Sequence, residues 1–174
     1  DRKCGYGGYK YDGRWKAVVE QMRQHYNLPD NASVLDVGCG KGFMLHDFKE
    51  IMPGCSVAGL DVSEYAIENS MPTVKKFLKV ASAEKLPYPD KSFDLVISIN
   101  SIHNLPLEAC KTALVEIERV SRGGSFITVD AWRNEQEHED LLKWVLTAET
   151  YMHVDDWKKL FDEIGFSGDY YWFI

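Results

Sequence analysis

Short apolar runs alternate with amphipathic segments along most of this chain. Runs of strand length lie at residues 34–37, 57–61, 94–100 and 125–130. The segments 43–48 and 114–120 carry apolar residues at helical spacing, which predicts helices that pack back onto a sheet. This order predicts an α/β fold: a Rossmann-like, doubly wound, mostly parallel sheet with helices on both faces and a ligand at the carboxyl ends of the strands.

The first predicted strand runs into a glycine-rich loop, residues 36–42, which reads DVGCGKG. Glycine at alternate positions suits a turn with positive φ and a backbone that a ligand approaches closely. A dinucleotide fingerprint that starts at Gly38 needs a glycine where Phe43 stands, so a pyrophosphate ligand is disfavoured. Asp36 would repel a phosphate but suits a ligand with positive charge. The alternative to a ligand-binding loop is an ordinary βα turn that is rich in glycine.

Residues 34–42 resemble the first motif of the class I S-adenosylmethionine-dependent methyltransferases, of the small-molecule, methyltransferase-11/25-like type, in which an acidic residue precedes a Gly-x-Gly-x-Gly loop. The resemblance is close over residues 33–130. It implies S-adenosyl-L-methionine as the cofactor and S-adenosyl-L-homocysteine as the product, and the cofactor's sulfonium and ammonium groups account for Asp36. The cofactor-binding residues that we predict on this basis are Tyr11, Arg14, Asp36, Gly38, Cys39, Gly40, Asp61, Val62, Ser82, Ala83, Glu84 and Asn100.

Two later segments fit the same resemblance. Asp61 ends the second predicted strand, where a carboxylate can accept two hydrogen bonds from a ribose diol. The alternative is an N-cap for the next helix, a position that Ser63 could fill instead. Residues 81–94 resemble the family's adenine-side segment. Many members carry Asp where Ser82 stands, so contact with the adenine rests on the Ser82 hydroxyl or on the backbone of Ala83.

The N-terminal residues 5–15 interleave aromatic residues with glycines before a predicted helix over residues 16–25. In the family this part of the chain often folds over the cofactor, so we expect a lid here. Arg14 could pair with the cofactor carboxylate, and Tyr9 and Tyr11 could stack near the methyl donor. The alternative is an arm whose aromatic side chains only cover the sheet.

The fourth strand is followed by Asn100, Ser101 and His103, at the edge where the resemblance implies the active site. His103 is the candidate catalytic residue, because a histidine pKa of about 6.5 suits proton removal from a hydroxyl. The alternative is a histidine that packs beneath the cofactor or caps the next helix. Asn100-Ser101 departs from the Asn/Asp-Pro-Pro-Tyr tetrad of amide and exocyclic-amine methyltransferases, which argues against that class of acceptor.

Residues 131–154 form an insertion with tryptophan, histidine and acidic residues, and such an insertion often shapes the acceptor pocket in this family. These side chains give no convincing ligand set, so we predict no metal. A late helix over 155–166 is stopped by glycine, and an aromatic strand over 169–174 follows. No residues remain for the closing antiparallel strand that is normal in the family. Either the chain has been cut short, or the sheet ends early and its exposed edge could meet a second copy in a homodimer.

Composition narrows the class of protein. The 174 residues suit a single domain, which we divide into an N-terminal lid and helix (1–32), a cofactor-binding core (33–130) and a substrate-side part (131–174) with the insertion, late helix and last strand. No apolar run approaches the about 20 residues that cross a bilayer, so we expect a soluble protein without a membrane span. Four scattered cysteines fit neither a disulfide framework nor a zinc site and favour a reducing cytoplasm.

The net charge of -7 argues against a nucleic acid substrate. The sequence therefore predicts an S-adenosylmethionine-dependent methyltransferase (EC 2.1.1.-) that O- or N-methylates a small-molecule acceptor. The alternative from another class is a methyltransferase-fold cofactor-binding or regulatory subunit without turnover of its own, which the missing closing strand favours slightly. A nucleotide-dependent oxidoreductase ranks third because of Phe43.

Overall fold

The structure, a computed structural model, describes residues 10–173, and these contribute seven strands to one sheet. The strands are β1 (Ser33–Val37), β2 (Ser56–Asp61), β3 (Leu78–Val80), β4 (Phe93–Ile99), β5 (Ser121–Trp132), β6 (Met152–His153) and β7 (Asp169–Phe173). The order across the sheet is β3-β2-β1-β4-β5, and both β6 and β7 pair with β5. Every strand pair in this range is parallel. The prediction of a doubly wound, mostly parallel sheet is confirmed, and the described residues form no closing antiparallel strand.

Helices flank the sheet on both faces. Within residues 10–173 the α-helices are α1 (Trp15–His25), α2 (Phe43–Ile51), α3 (Glu64–Glu68), α4 (Leu107–Val120), α5 (Glu135–Trp144) and α6 (Val154–Ile164), with short 3-10 helices at Lys75–Phe77 and Ile102–Asn104. None of the helices in this range is long and apolar enough to cross a membrane.

Adjacent residues of the central strands enter two different apolar clusters. Val34 and Leu95 pack in the cluster under α1 and α2, whereas Leu35 and Val96 pack in the cluster under α4 and α6. Strands that are buried on both faces read as almost continuous apolar runs, as the sequence does here.

Two consecutive glycines, Gly123 and Gly124, are typical of a turn before a strand, but helix α4 passes directly into β5 at Ser121. Both glycines lie inside β5, close to neighbouring atoms. A Cβ at Gly123 would lie 2.4 Å from the carbonyl oxygen of Asp94, and one at Gly124 would lie 2.7 Å from the Tyr26 ring. These glycines therefore permit close packing rather than a turn.

The carboxyl ends of β1, β2, β4 and β5 meet at one edge of the sheet because these strands run parallel. This edge brings together the predicted site residues that follow each strand. At the side of the sheet, β7 is an edge strand within the described range, and its Tyr171 is 61% exposed.

A polar network ties the opposite, amino-terminal ends of three strands together. The Asp94 carboxylate accepts hydrogen bonds from the Ser33 backbone N–H at 2.7 Å and from the Ser33 hydroxyl at 2.9 Å. The Arg122 guanidinium donates to both oxygens of Asp94 at 2.8 Å. These contacts lower the pKa of Asp94 from 3.8 to about 2, and the hydrogen bonds from Arg122 contribute most to the shift.

We expect Asp94→Asn to lower the free energy of unfolding by about 1–3 kcal/mol at pH 7, because charge-assisted bonds from two neighbours lose their acceptor charge. A lowered pKa gives stability that is complete above the ordinary pKa and is lost as the pH falls towards 2, so the difference from the parent should shrink at pH 3. Urea unfolding of the variant and the parent at pH 7 and pH 3 measures this difference in the free energy of unfolding. Asp90→Asn, which breaks an exposed pair with Arg119, should cost less than about 1 kcal/mol and serves as the control. Equal costs for the two variants would contradict this account.

Candidate functional site

The glycine-rich loop after β1 is held by the end of β2. The backbone N–H groups of Gly38 and Cys39 donate to the carbonyl oxygen of Leu60, at 2.8 and 2.9 Å. The N–H of Gly40 donates to Oδ2 of Asp61 at 2.8 Å. Contacts within the protein therefore fix the loop at the carboxyl edge of the sheet.

The three glycines of the loop have different neighbours. Gly38, Gly40 and Gly42 all have positive φ, at +80°, +52° and +72°. A Cβ at Gly38 would lie 1.8 Å from the Ser101 hydroxyl, and one at Gly42 would lie 2.9 Å from a Val74 methyl group. A Cβ at Gly40 would have no atom within 4 Å. Gly38 and Gly42 are thus required by the protein's own packing, whereas Gly40 borders open space that a ligand could fill.

Two carboxylates lie next to the glycine-rich loop: Asp36, near the end of β1, and Asp61, which accepts from the Gly40 N–H. Asp36 is only 5% exposed, and burial, together with the nearby Asp61, raises its pKa to about 7. No donor among the described residues forms a hydrogen bond with the Asp36 side chain. A cationic group would favour its charged form, and the residues present fit the cofactor that the loop motif implies.

Asp61 is a half-buried acceptor of two backbone hydrogen bonds. Besides Gly40, the N–H of Ser63 donates to its Oδ1 at 2.8 Å. The N-cap of α3 is Ser63, whose hydroxyl accepts from the Ala66 N–H at 3.1 Å. The capping position that was the alternative for Asp61 is therefore filled by Ser63.

Exposed apolar side chains surround the ends of β2 and β3. Val62 is 70% exposed, Tyr65 60% and Val80 50%. The Lys41 ammonium lies over the Tyr65 ring, 5.1 Å from its centre. Apolar surface beside a carboxylate suits a planar ring joined to a sugar.

The predicted adenine-side residues form a local turn next to this surface. The Ser82 hydroxyl accepts from the Glu84 N–H at 3.2 Å and donates to the Glu84 carboxylate at 3.3 Å. Ala83 is half-buried against the α4 side of the core. The Ser82 hydroxyl is thus already engaged within its own turn.

Asn100 follows β4 with an unusual backbone conformation. Its φ is +48°. Its N–H donates to the Thr128 hydroxyl at 2.8 Å, and that hydroxyl donates to Oδ1 of Asn100 at 2.6 Å. Sequence analysis missed Thr128, because no motif links two residues that are 28 positions apart.

His103 is buried against β5. Its Nδ1 accepts a hydrogen bond from the Asp130 N–H at 3.2 Å, so the proton of the neutral ring lies on Nε2, which is 3.7 Å from Oδ2 of Asp130. Burial lowers the pKa of His103 to about 4. The ring presents no free basic nitrogen in this arrangement, which favours the packing role that was the alternative to catalysis.

The described part of the N-terminal segment lies on α2. Tyr11 donates a hydrogen bond to the buried Asp47 carboxylate and packs edge-on against His46, with ring centres 4.9 Å apart. The Arg14 guanidinium bonds the Asp12 carboxylate at 2.6 Å. Tyr9 lies outside the described residues.

An aromatic cluster lies at the end of β5 and in the insertion that follows it. Trp132, at the end of β5, stacks on His138 of α5 with ring centres 4.1 Å apart, and Tyr151 lies 6.1 Å from Trp132. No group of three or more metal-ligating side chains occurs among residues 10–173.

The methyltransferase domain family matches residues 35–129, which is more than half of the chain. The chain belongs to the class I S-adenosylmethionine-dependent methyltransferases. The matched residues include the glycine-rich loop, Asp61, the turn of residues 82–84, Asn100 and His103, whereas the aromatic cluster around Trp132 lies beyond them.

Curated relatives support the same family. A tRNA (carboxymethyluridine(34)-5-O)-methyltransferase of Arabidopsis thaliana is 35% identical over 146 residues, which cover 83% of this chain and 34% of that protein. An uncharacterised protein of Haemophilus influenzae is 32% identical over 163 residues, 87% of this chain and 64% of that protein. The chain thus spans between a third and two thirds of the length of these two relatives.

Solved structures share the methyltransferase fold at low identity. The YcgJ protein of Bacillus matches with a TM-score of 0.67 and 19% identity over 85% of this chain and 67% of that one. A complex of the Haloferax volcanii Trm112 methyltransferase activator with a methyltransferase also matches at 0.67, with 23% identity over 88% of this chain and 73% of that one.

We expect Gly40→Ala to weaken S-adenosylmethionine binding to this methyltransferase by at least about tenfold, because the new methyl group would enter the open space at the loop. Gly165 provides a matched control, since it also has positive φ and no atom within 4 Å of a Cβ but caps the distant end of α6. Both variants should lose about 1–2 kcal/mol of stability, and only Gly40→Ala should lose affinity, measured by calorimetric titration. Equal affinities would show that the open space is not a ligand site.

A second expectation concerns the protonation state of His103. Between pH 5.5 and 8 its ring should stay neutral with the proton on Nε2, because burial lowers its pKa to about 4. NMR of the ring nitrogens measures this, and a His103→Asn variant identifies the signal by its loss. Titration of His103 between pH 6 and 7 would instead support its predicted role as a general base.

Proposed function

We propose that this methyltransferase binds S-adenosylmethionine at the Gly40 loop and methylates a small-molecule acceptor. One observation carries the proposal: the glycine-rich loop, which borders open space at Gly40, directly follows a buried carboxylate, Asp36, that lacks a donor among the described residues. A ligand with positive charge near its centre matches that arrangement. When bound, the cofactor supplies a methyl group already activated by a sulfonium.

Each part of the cofactor has a group of residues of suitable chemistry. Asp61 is proposed to accept from the ribose hydroxyls, as its position after β2 supports. The adenine would lie on Val62 and beside the turn of Ser82, Ala83 and Glu84. The remaining predicted binding residues, at the methionine end of the cofactor, are Tyr11, Arg14, Asp36, Gly38, Cys39, Gly40 and Asn100.

The proposed mechanism is positioning and desolvation by the protein. The loop orients one reactant, and the insertion after β5 holds the other so that donor and acceptor atoms are in line. Nδ1 of His103 already accepts a hydrogen bond, and the proton of the neutral ring is on Nε2, so His103 offers no free base. This arrangement favours an acceptor that needs no base, such as a carboxylate or another group that is ionised near neutral pH. The proposed class is therefore O-methylation of an acidic small molecule.

A second acceptor class is favoured by one relative. The Arabidopsis thaliana protein is a tRNA carboxymethyluridine O-methyltransferase by name, so a carboxymethyl group on RNA is the competing acceptor. The net charge of -7 opposes binding of a phosphate backbone. A methyltransferase-fold cofactor-binding or regulatory subunit without turnover of its own is the remaining alternative.

Titration with S-adenosylmethionine, S-adenosylhomocysteine and NAD tests the cofactor. We expect binding of the first two and none of NAD. Asp61→Ala should weaken binding by about 10- to 150-fold, because it removes an acceptor of hydrogen bonds from the ligand. Asp30→Asn, which alters an exposed pair with Arg23, should leave the affinity unchanged. Parent affinity in Asp61→Ala would contradict the ribose assignment.

Release of S-adenosylhomocysteine tests the acceptor. The assay compares a panel of small carboxylic acids, phenols and amines with tRNA that carries carboxymethyluridine. Turnover with small acids supports the proposal, and turnover with the tRNA alone overturns it. Cofactor binding without turnover on either would favour the regulatory subunit.

A further inference from the structure

Asn100 adopts a backbone conformation that needs support. It is one of three residues other than glycine with positive φ in the described range. The left-handed region costs a residue with a Cβ about 1–2 kcal/mol, although asparagine tolerates it better than most. Neighbouring groups must therefore hold Asn100 in place at the end of β4.

The Thr128 hydroxyl provides that support. It accepts from the Asn100 N–H at 2.8 Å and donates to Oδ1 of the same residue at 2.6 Å. Thr128 is only 7% exposed and lies opposite Ile99 in the register of β4 and β5. A single buried hydroxyl on β5 thus satisfies both the backbone and the side chain of the residue that leaves β4.

The conformation of Asn100 directs the next residue onto the glycine-rich loop. Ser101 lies against the Cα of Gly38, since a Cβ on that glycine would be 1.8 Å from the Ser101 Oγ and 2.4 Å from its Cβ. The same Gly38 donates its N–H to the end of β2. A continuous set of contacts therefore runs from Thr128 through Asn100 and Ser101 to the loop.

We propose that Thr128 is a positioning residue for the cofactor site and acts through Asn100 and Ser101. The inference rests on the proposed function for its readout of cofactor affinity. Loss of the hydroxyl leaves the Asn100 N–H without its acceptor and lets residues 100–101 move away from Gly38. The glycine-rich loop then loses the wall that fixes it on the β4 side.

Thr128→Val keeps the shape of the side chain and removes the hydroxyl. We expect it to weaken S-adenosylhomocysteine binding about tenfold, while Thr128→Ser, which keeps the hydroxyl, stays within about threefold of the parent. In a protein that also carries Asn100→Gly, Thr128→Val should lower the affinity for S-adenosylhomocysteine by less than about twofold, because glycine adopts a positive φ without support. Thr112→Val, which removes an exposed hydroxyl that bonds the Glu108 carbonyl, is the matched control and should have no effect.

Hydrogen exchange of the Asn100 and Gly38 amides, followed by NMR without cofactor, provides a readout that does not depend on binding. Exchange should be at least about tenfold faster in Thr128→Val than in the parent and should return in Thr128→Ser. Equal loss of affinity in both backgrounds, or unchanged exchange, would overturn the inference. If the parent binds no S-adenosylhomocysteine, the proposed function fails, and the exchange rates alone decide whether Thr128 positions the loop.

Discussion

The carbonyl oxygen of Leu60 accepts hydrogen bonds from two consecutive loop amides, those of Gly38 and Cys39, and the candidate site depends on this contact. The register of the sheet places the Leu60 carbonyl beside the start of the loop, because Val37 at the end of β1 lies opposite Leu60 near the end of β2. The loop therefore begins where β2 still offers an acceptor. Asp61, one residue further, then receives the N–H of Gly40 and completes the attachment.

This attachment has an electrostatic consequence. Asp61, held against the loop, lies near Asp36, and burial together with the charge of Asp61 raises the pKa of Asp36 to about 7. A neutral ligand would leave the charged form of Asp36 disfavoured. A cationic ligand would stabilise that form, so the contacts that shape the loop also favour a ligand with positive charge.

The sequence predicts those features that depend on local spacing. The ends of β1, β2 and β4, the glycine-rich loop and the Ser63 cap follow from residues close together in the chain, and the structure has these strand ends to within one residue. Strand β5, by contrast, begins four residues before its predicted start and ends two residues after its predicted end. Glycine itself is ambiguous, because it serves turns and close contacts alike. Gly123 lies in a strand because Asp94 passes beside it, and that neighbour comes from a different part of the chain.

The burial of His103 and the hydrogen bonds of Thr128 could not be predicted either, because they too depend on neighbours from distant parts of the chain. Both depend on β5, and the pairing of β5 with β4 determines which side chains face Asn100 and the imidazole ring. The sequence placed His103 near the correct edge, since it follows the fourth strand. Only the packed sheet shows that Nδ1 of His103 accepts a hydrogen bond from the Asp130 N–H and that the ring is buried.

The segment that follows β4 also links the two sides of the site. Ser101 packs on the glycine-rich loop, while the His103 carbonyl accepts from the N–H groups of Glu149 and Thr150, in the loop after α5. The Thr150 hydroxyl adds a bond to the Leu105 carbonyl at 2.7 Å. The insertion of residues 131–154 is therefore attached to the same short segment that borders the glycine-rich loop. These bonds are made by backbone groups and by one buried hydroxyl, not by the exposed side chains of α5. Substitutions on the outer surface of α5 would therefore leave the attachment in place.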